Sequence, residues 1–247
     1  ALASAERLME LESNEDEPLH AEKAELEKIK SDFRSIEVNN LCFGYGGEVI
    51  LNDCSFSAER GHITAITGES GSGKSTLFKL MLGLYEPQSG SITVNGNIPL
   101  DASMRGLFAY VPQGNMVLSG TVRDNITMCD PAITDEQIEK AARAAEIYDY
   151  IVSLPEGFET RLAERGAGLS EGQIQRISIA RALLTDTPVI LLDEATSALD
   201  EETETRVLTN IKSMTDKTIL FITHRNTSLK ACDRIVHVEN KNFSVIK

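Results

Sequence analysis

From Ser35 onward the chain alternates short apolar runs with turn residues. Ile36, Val38 and Leu41 predict a strand, and Tyr45-Gly46-Gly47 marks the turn after it. Residues 54–58 and 62–67 predict two further strands, the second running straight into a Gly-rich loop. Residues 76–84 read as a helix, and a Gly-punctuated strand pair follows near residues 91–95. Between Asn115 and Leu184 the texture is mostly helical. Thr134 with Gln137 forms a capping-box signature ahead of residues 138–147, and Ser170 with Gln173 repeats it ahead of residues 174–184. Residues 189–192 form an all-apolar strand, Glu201–Ser213 a helix and residues 218–223 a second buried strand. Apolar strands alternating with helices indicate the α/β class, with a parallel sheet covered on both faces.

The first thirty residues read differently. Leu2, Leu8 and Leu11, then residues 21–30, have helical character, broken by an acidic, Pro-containing stretch at 13–18. They carry nine acidic and four basic side chains and few residues able to form a core, so a linker or the end of a preceding element is predicted. The chain opens on Ala1 instead of Met, which suggests a piece of something longer.

Composition narrows the function classes. The net charge of −14 over 247 residues argues against a nucleic-acid scaffold, because phosphate backbones require clustered Lys and Arg. Aromatic content of 5% with no Trp leaves little material for base-stacking platforms. Cys42, Cys54, Cys129 and Cys232 are scattered without C-x-x-C spacing, which predicts reduced, buried thiols and neither a disulfide framework nor a zinc site. The apolar runs fall far short of the ~20 residues of a transmembrane helix. A secretory signal pattern is absent as well.

Gly68-Glu69-Ser70-Gly71-Ser72-Gly73-Lys74-Ser75 fits G-x-x-x-x-G-K-[ST], between a strand and a helix as that motif requires. Its glycines permit a tight loop whose N–H groups face phosphate oxygens, and the helix N-terminus opening at Thr76 adds partial positive charge. Lys74 is expected to reach the β- and γ-phosphates of a nucleoside triphosphate, with the Ser75 hydroxyl on Mg²⁺. The strand at 189–192 delivers Asp193 and Glu194 at its end. Asp193 is the candidate Mg²⁺ holder and Glu194 the group that polarises an attacking water.

With these halves in place, the chain resembles the ATP-binding cassette (ABC) proteins. Leu169-Ser170-Glu171-Gly172-Gln173 is similar to the family signature LSGGQ, at the family's distance before Asp193. Tyr45 resembles the aromatic that stacks on adenine, and Gln113 the glutamine that senses Mg²⁺ and the transport domain. Ser197-Ala198-Leu199-Asp200 resembles the loop coupling two nucleotide sites, and His224 the histidine that contacts the γ-phosphate. The resemblance implies a P-loop NTPase (RecA-like) core with an antiparallel β subdomain and an inserted α-helical subdomain at about 115–184, all within residues 33–247. It implies ATP and Mg²⁺ as ligands and a head-to-tail dimer in which Ser170, Gly172 and Gln173 of one cassette complete the other's site. The anion site at the helix capped by Ser170 gives that arrangement its physical sense.

Three stretches look like exporters within that family: residues 3–11, which resemble the segment leaving a last transmembrane helix, residues 118–126 after Gln113, and residues 164–168 before the signature. They imply an ATPase that powers export from the cytoplasmic face of a membrane, with a transmembrane domain and a second cassette as partners and no nucleic acid. A soluble cassette ATPase, a separately encoded transporter subunit, or the degenerate half of a heterodimer are the alternatives. Two departures stand out. The family has Gly where this chain has Glu171, which reads as harmless if it points to solvent and as a degenerate site if it faces the γ-phosphate. The Gly-containing acidic tail usual after the histidine has no counterpart at residues 240–247.

Overall fold

The computed structural model describes residues 23–114, 116–163, 166, 168–213 and 216–247. The stretch at 3–11 that resembles the segment leaving a transmembrane helix lies outside the described residues, as do Glu164, Arg165 and Ala167 of the segment before the signature.

The centre is a six-stranded sheet. Its five parallel strands are, in spatial order, β11 (Arg234–Glu239), β3 (Ile63–Gly68), β10 (Thr218–Ile222), β9 (Val189–Asp193) and β6 (Phe108–Val111), with β12 (Asn242–Val245) antiparallel on the β11 edge. Successive side chains of a strand point to opposite faces, and here both faces are dry. Ile190 and Leu192 of β9, with Ile219 and Phe221 of β10, join one core cluster. Val189, Leu191, Leu220 and Ile222 join the other. Two cores sandwiching one sheet explain why these strands read as unbroken apolar runs.

The first core is closed by helices. Between β6 and β9 the chain forms β7 (Gly120–Thr121), α3 (Val122–Thr127), α4 (Asp135–Ala144), α5 (Tyr148–Ser153), β8 (Arg161–Leu162) and α6 (Glu171–Leu184); α7 (Glu201–Ser213) follows β9. Both predicted capping boxes form, at Thr134/Gln137 and Ser170/Gln173, and a third closes α3 through Thr121 and Asp124. The buried Asn125 amide holds the turn before α3 by bonding Leu118 N, Leu118 O and Thr121 O, while Arg181 of α6 donates to Asn125 O. The helical insertion is thereby tied to the helix that begins at the signature.

The second core lies under an antiparallel sheet of order β2-β1-β4-β5, built from β1 (Ser35–Tyr45), β2 (Glu48–Glu59), β4 (Ser89–Val94) and β5 (Ile98–Pro99), together with α2 (Lys74–Met81). A short α8 (Asn226–Leu229) follows β10. Helix α1 (Lys23–Ser31) buries Ile29 in this core and lays Leu26 against it, so the N-terminal stretch contributes more to the packing than its composition indicates. Among the described residues no helix is long and apolar enough to cross a membrane.

Several boundaries differ from the sequence pattern. The helix after the phosphate loop starts at Lys74, because Gly73 ends the loop, and stops at Met81 before Gly83, whose φ is +62°. The helix read at 138–147 is Asp135–Ala144; its end is set by Glu146, whose φ is +57°. Strands β6, β11 and β12 were not expected from periodicity, since four-residue runs and strands with charged ends give a weak period-two signal. Cys54 and Cys232 are buried thiols, each pushed up to about 12 by desolvation. Cys129 is exposed, contrary to the expectation for all four cysteines; it follows Met128 in a left-handed turn after α3 that faces solvent.

Candidate active site

The loop between β3 and α2 is shaped by backbone geometry that side chains would prevent. Gly73 has φ +97°, and a Cβ there would lie 2.7 Å from Leu51 Cδ2 and 2.9 Å from Ile50 Cγ2. The loop therefore lies directly on β2. Gly73 caps α2 without a side-chain hydrogen bond, so the first N–H groups of the helix are left for an anion. Lys74 folds back over the loop, donating to Gly68 O at 3.0 Å, Glu69 O at 2.6 Å and Ser72 Oγ at 3.3 Å. It is 5% exposed, and burial pushes its ammonium below the usual lysine range while Glu194 and Asp193 pull it back.

A pocket of about 460 Å³ opens over this loop. Ser70, Gly71, Gly73, Lys74, Ser75 and Thr76 line it from one side, Gln113, Glu194 and His224 from the other, and Ile50 closes one wall. Five separate chain segments thus converge where the sequence placed the nucleotide.

The acidic pair has two distinct environments. Asp193 is 3% exposed and accepts hydrogen bonds from Ser75 Oγ at 3.0 Å and Tyr110 OH at 3.1 Å. Desolvation raises its carboxyl above the ordinary range, against the pull of those two hydroxyls. Burial and the same carboxylate raise the Tyr110 phenol. Glu194 instead projects into the pocket. Its Oε2 accepts from Gln113 Nε2 at 2.7 Å, and its Oε1 lies 2.8 Å from His224 Nε2. An ionised carboxylate can only accept, so that pairing puts the imidazole proton on Nε2. Glu194 has φ +51°, a left-handed conformation that costs a non-glycine residue of order 1–3 kcal/mol. Strain of this kind persists where the surrounding structure fixes a side chain for use.

The raised carboxyl of Asp193 has a consequence for stability. Its folded state holds the proton more tightly than the unfolded state, so stability falls as pH rises through the window from about 3.9 up to the folded value. Asp193→Asn keeps the shape and removes the buried charge. Without nucleotide, the variant is expected to melt higher than the parent at neutral pH, by about 2–4 °C per kcal/mol gained, and to lose the acid-side pH dependence. Thermal melts across pH check this; a lower melting temperature contradicts it.

The predicted signature residues occupy a different surface. Ser170 caps α6, its Oγ accepting from Gln173 N at 3.2 Å while Gln173 Oε1 accepts from Ser170 N at 2.8 Å. A Cβ at Gly172 would stand 3.0 Å from Ala198 O, a tight fit against the turn after β9 that favours glycine there. Glu171 is exposed and, among the described residues, forms no ion pair, so that preference does not extend to it. Ser170, Gly172 and Gln173 are not among the residues lining the phosphate-loop pocket. Neither is Tyr45, which is 37% exposed at the end of β1 and packs edge-on against Phe43 and Tyr85, with centroids 4.9 and 5.3 Å away. Sequence reasoning missed Tyr110, Ile50 and Tyr85. Tyr110 alone had a signal, lying three residues before Gln113 in an apolar run.

A Gly-rich loop between a buried parallel strand and a helix, with an acidic strand end beside it, defines a P-loop NTPase. The sequence model of the family described as "ABC transporter" matches residues 51–197. A Haemophilus influenzae protein named "Probable ABC transporter ATP-binding/permease protein" is 42% identical over 98% of this chain and 44% of its own length. The "ATP-dependent lipid A-core flippase" of Desulfotalea psychrophila is 41% identical over 96% of this chain and 42% of its own. A solved structure of a bacterial Atm1-family ABC exporter with ATP bound superposes with a TM-score of 0.79 at 33% identity, covering 86% of this chain and 38% of that one. The chain belongs to the ABC transporter family, as a nucleotide-binding ABC ATPase domain of the exporter type. It spans less than half the length of these relatives.

Proposed function

We propose that this chain hydrolyses ATP to power export of a substrate across a membrane, acting at the cytoplasmic face through a transmembrane domain. In this reading residues 1–32 form the linker to that domain, and 33–247 the cassette with its helical insertion at about 115–184. The observation that carries it is the convergence of Lys74, Gln113, Glu194 and His224 on one pocket over the phosphate loop.

The loop N–H groups and the α2 N-terminus bind the phosphates, and Lys74 exchanges its contacts with Gly68 O and Glu69 O for phosphate oxygens. Tyr45 stacks on adenine. Ser75 Oγ and an Asp193 oxygen, 3.0 Å apart, with the side-chain oxygen of Gln113 across the pocket, form the all-oxygen donor set that Mg²⁺ prefers. When bound, Mg²⁺ supplies charge neutralisation at the β- and γ-phosphates. Glu194 takes the proton of the attacking water as general base. Both of its oxygens are engaged by Gln113 and His224, so one of those bonds must open to admit the water. His224 then turns to the γ-phosphate. Ser170, Gly172 and Gln173 serve the facing cassette of a dimer, consistent with their position away from the chain's own pocket.

Phosphate release from ATP, measured with and without Mg²⁺, tests the reading; no Mg²⁺-dependent release from folded protein would overturn it. Glu194 and His224, both present and paired in the pocket, support an active rather than a degenerate site. Glu171→Gly is accordingly expected to change kcat by less than about threefold, whereas a gain of about tenfold or more would favour the degenerate half of a heterodimer.

A further inference from the structure

The turn after β9 is held by a network outside the residues assigned so far. Arg225, the neighbour of His224, points away from the pocket. Its Nη1 donates to Leu199 O at 2.5 Å and its Nη2 to Ser197 O at 2.7 Å. Nη1 also lies 3.2 Å from Oε2 of Glu204, on α7. Glu204 is 1% exposed, and its other oxygen accepts from the buried Thr196 hydroxyl at 2.5 Å. From the opposite side, Gln175 of α6 accepts from Ala198 N at 3.0 Å and donates to Ser197 Oγ at 3.0 Å. Glu194, Ser197, His224, Arg225 and Glu204 share the wall of one small cavity of about 80 Å³.

A buried carboxylate is a poor way to stabilise a fold, because desolvation cancels much of the ion-pair attraction; its use is to specify one arrangement. Here the arrangement fixed is that of the 197–199 turn relative to residue 224. We propose that Arg225, with Glu204 behind it, is a positioning residue for hydrolysis: it locks the 197–199 turn to His224, so that the helix bearing the signature and the Glu194–His224 pair move as one unit. The inference rests on the ATPase reading above. It requires the guanidinium fork, since a lysine ammonium cannot grip Ser197 O, Leu199 O and Glu204 in one plane.

The test uses the purified protein with Arg225→Ala, Arg225→Lys, Glu204→Ala and the Arg225→Ala/Glu204→Ala pair. Each replacement at 225 is expected to lower kcat about tenfold or more while KM for ATP changes less than about threefold. The double variant should be no worse than the poorer single, since both act through one clamp. Millimolar methylguanidinium should restore part of kcat in Arg225→Ala, a response that general destabilisation would not give. If Arg225→Ala is too unstable to purify, Arg225→Lys carries the kcat and KM comparison alone. Retained kcat, a kcat loss matched by a raised KM, additive losses, or no recovery with methylguanidinium in a folded Arg225→Ala would each overturn the proposal. A parent that fails to hydrolyse ATP would overturn the ATPase reading itself and the clamp with it.

Discussion

Glu194→Gln is expected to bind ATP with affinity within about twofold of the parent and to hydrolyse it about 10²- to 10⁴-fold more slowly, the range a general base contributes. The substitution preserves the left-handed backbone at φ +51° and leaves one side-chain oxygen to accept from His224 or Gln113. Gln113 can present its own oxygen to the new amide, so the pocket wall stays in place. Only proton acceptance is lost. Parallel measurements of nucleotide affinity and single-turnover phosphate release check the result. A variant with parental hydrolysis would remove Glu194 from the chemistry, and one with lost affinity would make it a binding residue.

Lys74→Ala is expected to act on the other parameter. It deletes the side chain that crosses the phosphate loop, tying Gly68 O, Glu69 O and Ser72 Oγ together. In the proposed reading the same ammonium faces phosphate oxygens when nucleotide binds, and a hydrogen bond to a charged group is worth about 1.5–3 kcal/mol. ATP affinity should therefore fall about 10- to 100-fold by calorimetric titration. Because the ammonium is desolvated and held below its usual range, its removal relieves a burial cost, and the nucleotide-free fold should survive. Unchanged affinity would overturn the assignment of the loop.

Much of this arrangement was legible in the sequence, and the reason is local. The phosphate loop, both capping boxes and the strand ending in Asp193-Glu194 are each specified within a few consecutive residues, and periodicity or motif spacing reports them directly. The apolar runs at 189–192 and 218–222 announced a sheet buried on both faces, and the two cores bear that out. What stayed hidden depends on contacts between distant segments. Tyr110 reaches Asp193 only because β6 pairs with β9 in the register Tyr110↔Leu191. The bonds from Arg225 to Ser197 and Leu199 span 28 and 26 positions, and no periodicity encodes them. Helix α1 was mistaken for a stretch with little core because its mean polarity is high, yet Ile29 and Leu26 lie on one face, three apart, and that face alone packs. The two glycine positions of the signature were likewise not separable by sequence; a Cβ added at Gly172 would crowd Ala198 O, whereas Glu171 is exposed.

The central claim is that the site is one half of a nucleotide sandwich, with Ser170 and Gly172 of a second cassette facing the phosphate loop. The most direct measurement is the solution mass of Glu194→Gln by light scattering, without nucleotide and then with saturating Mg-ATP. The account predicts a doubling of mass on addition of ATP, reversed by Ser170→Arg, which places a cation and bulk at the helix cap. An unchanged mass under conditions where ATP is demonstrably bound would contradict it.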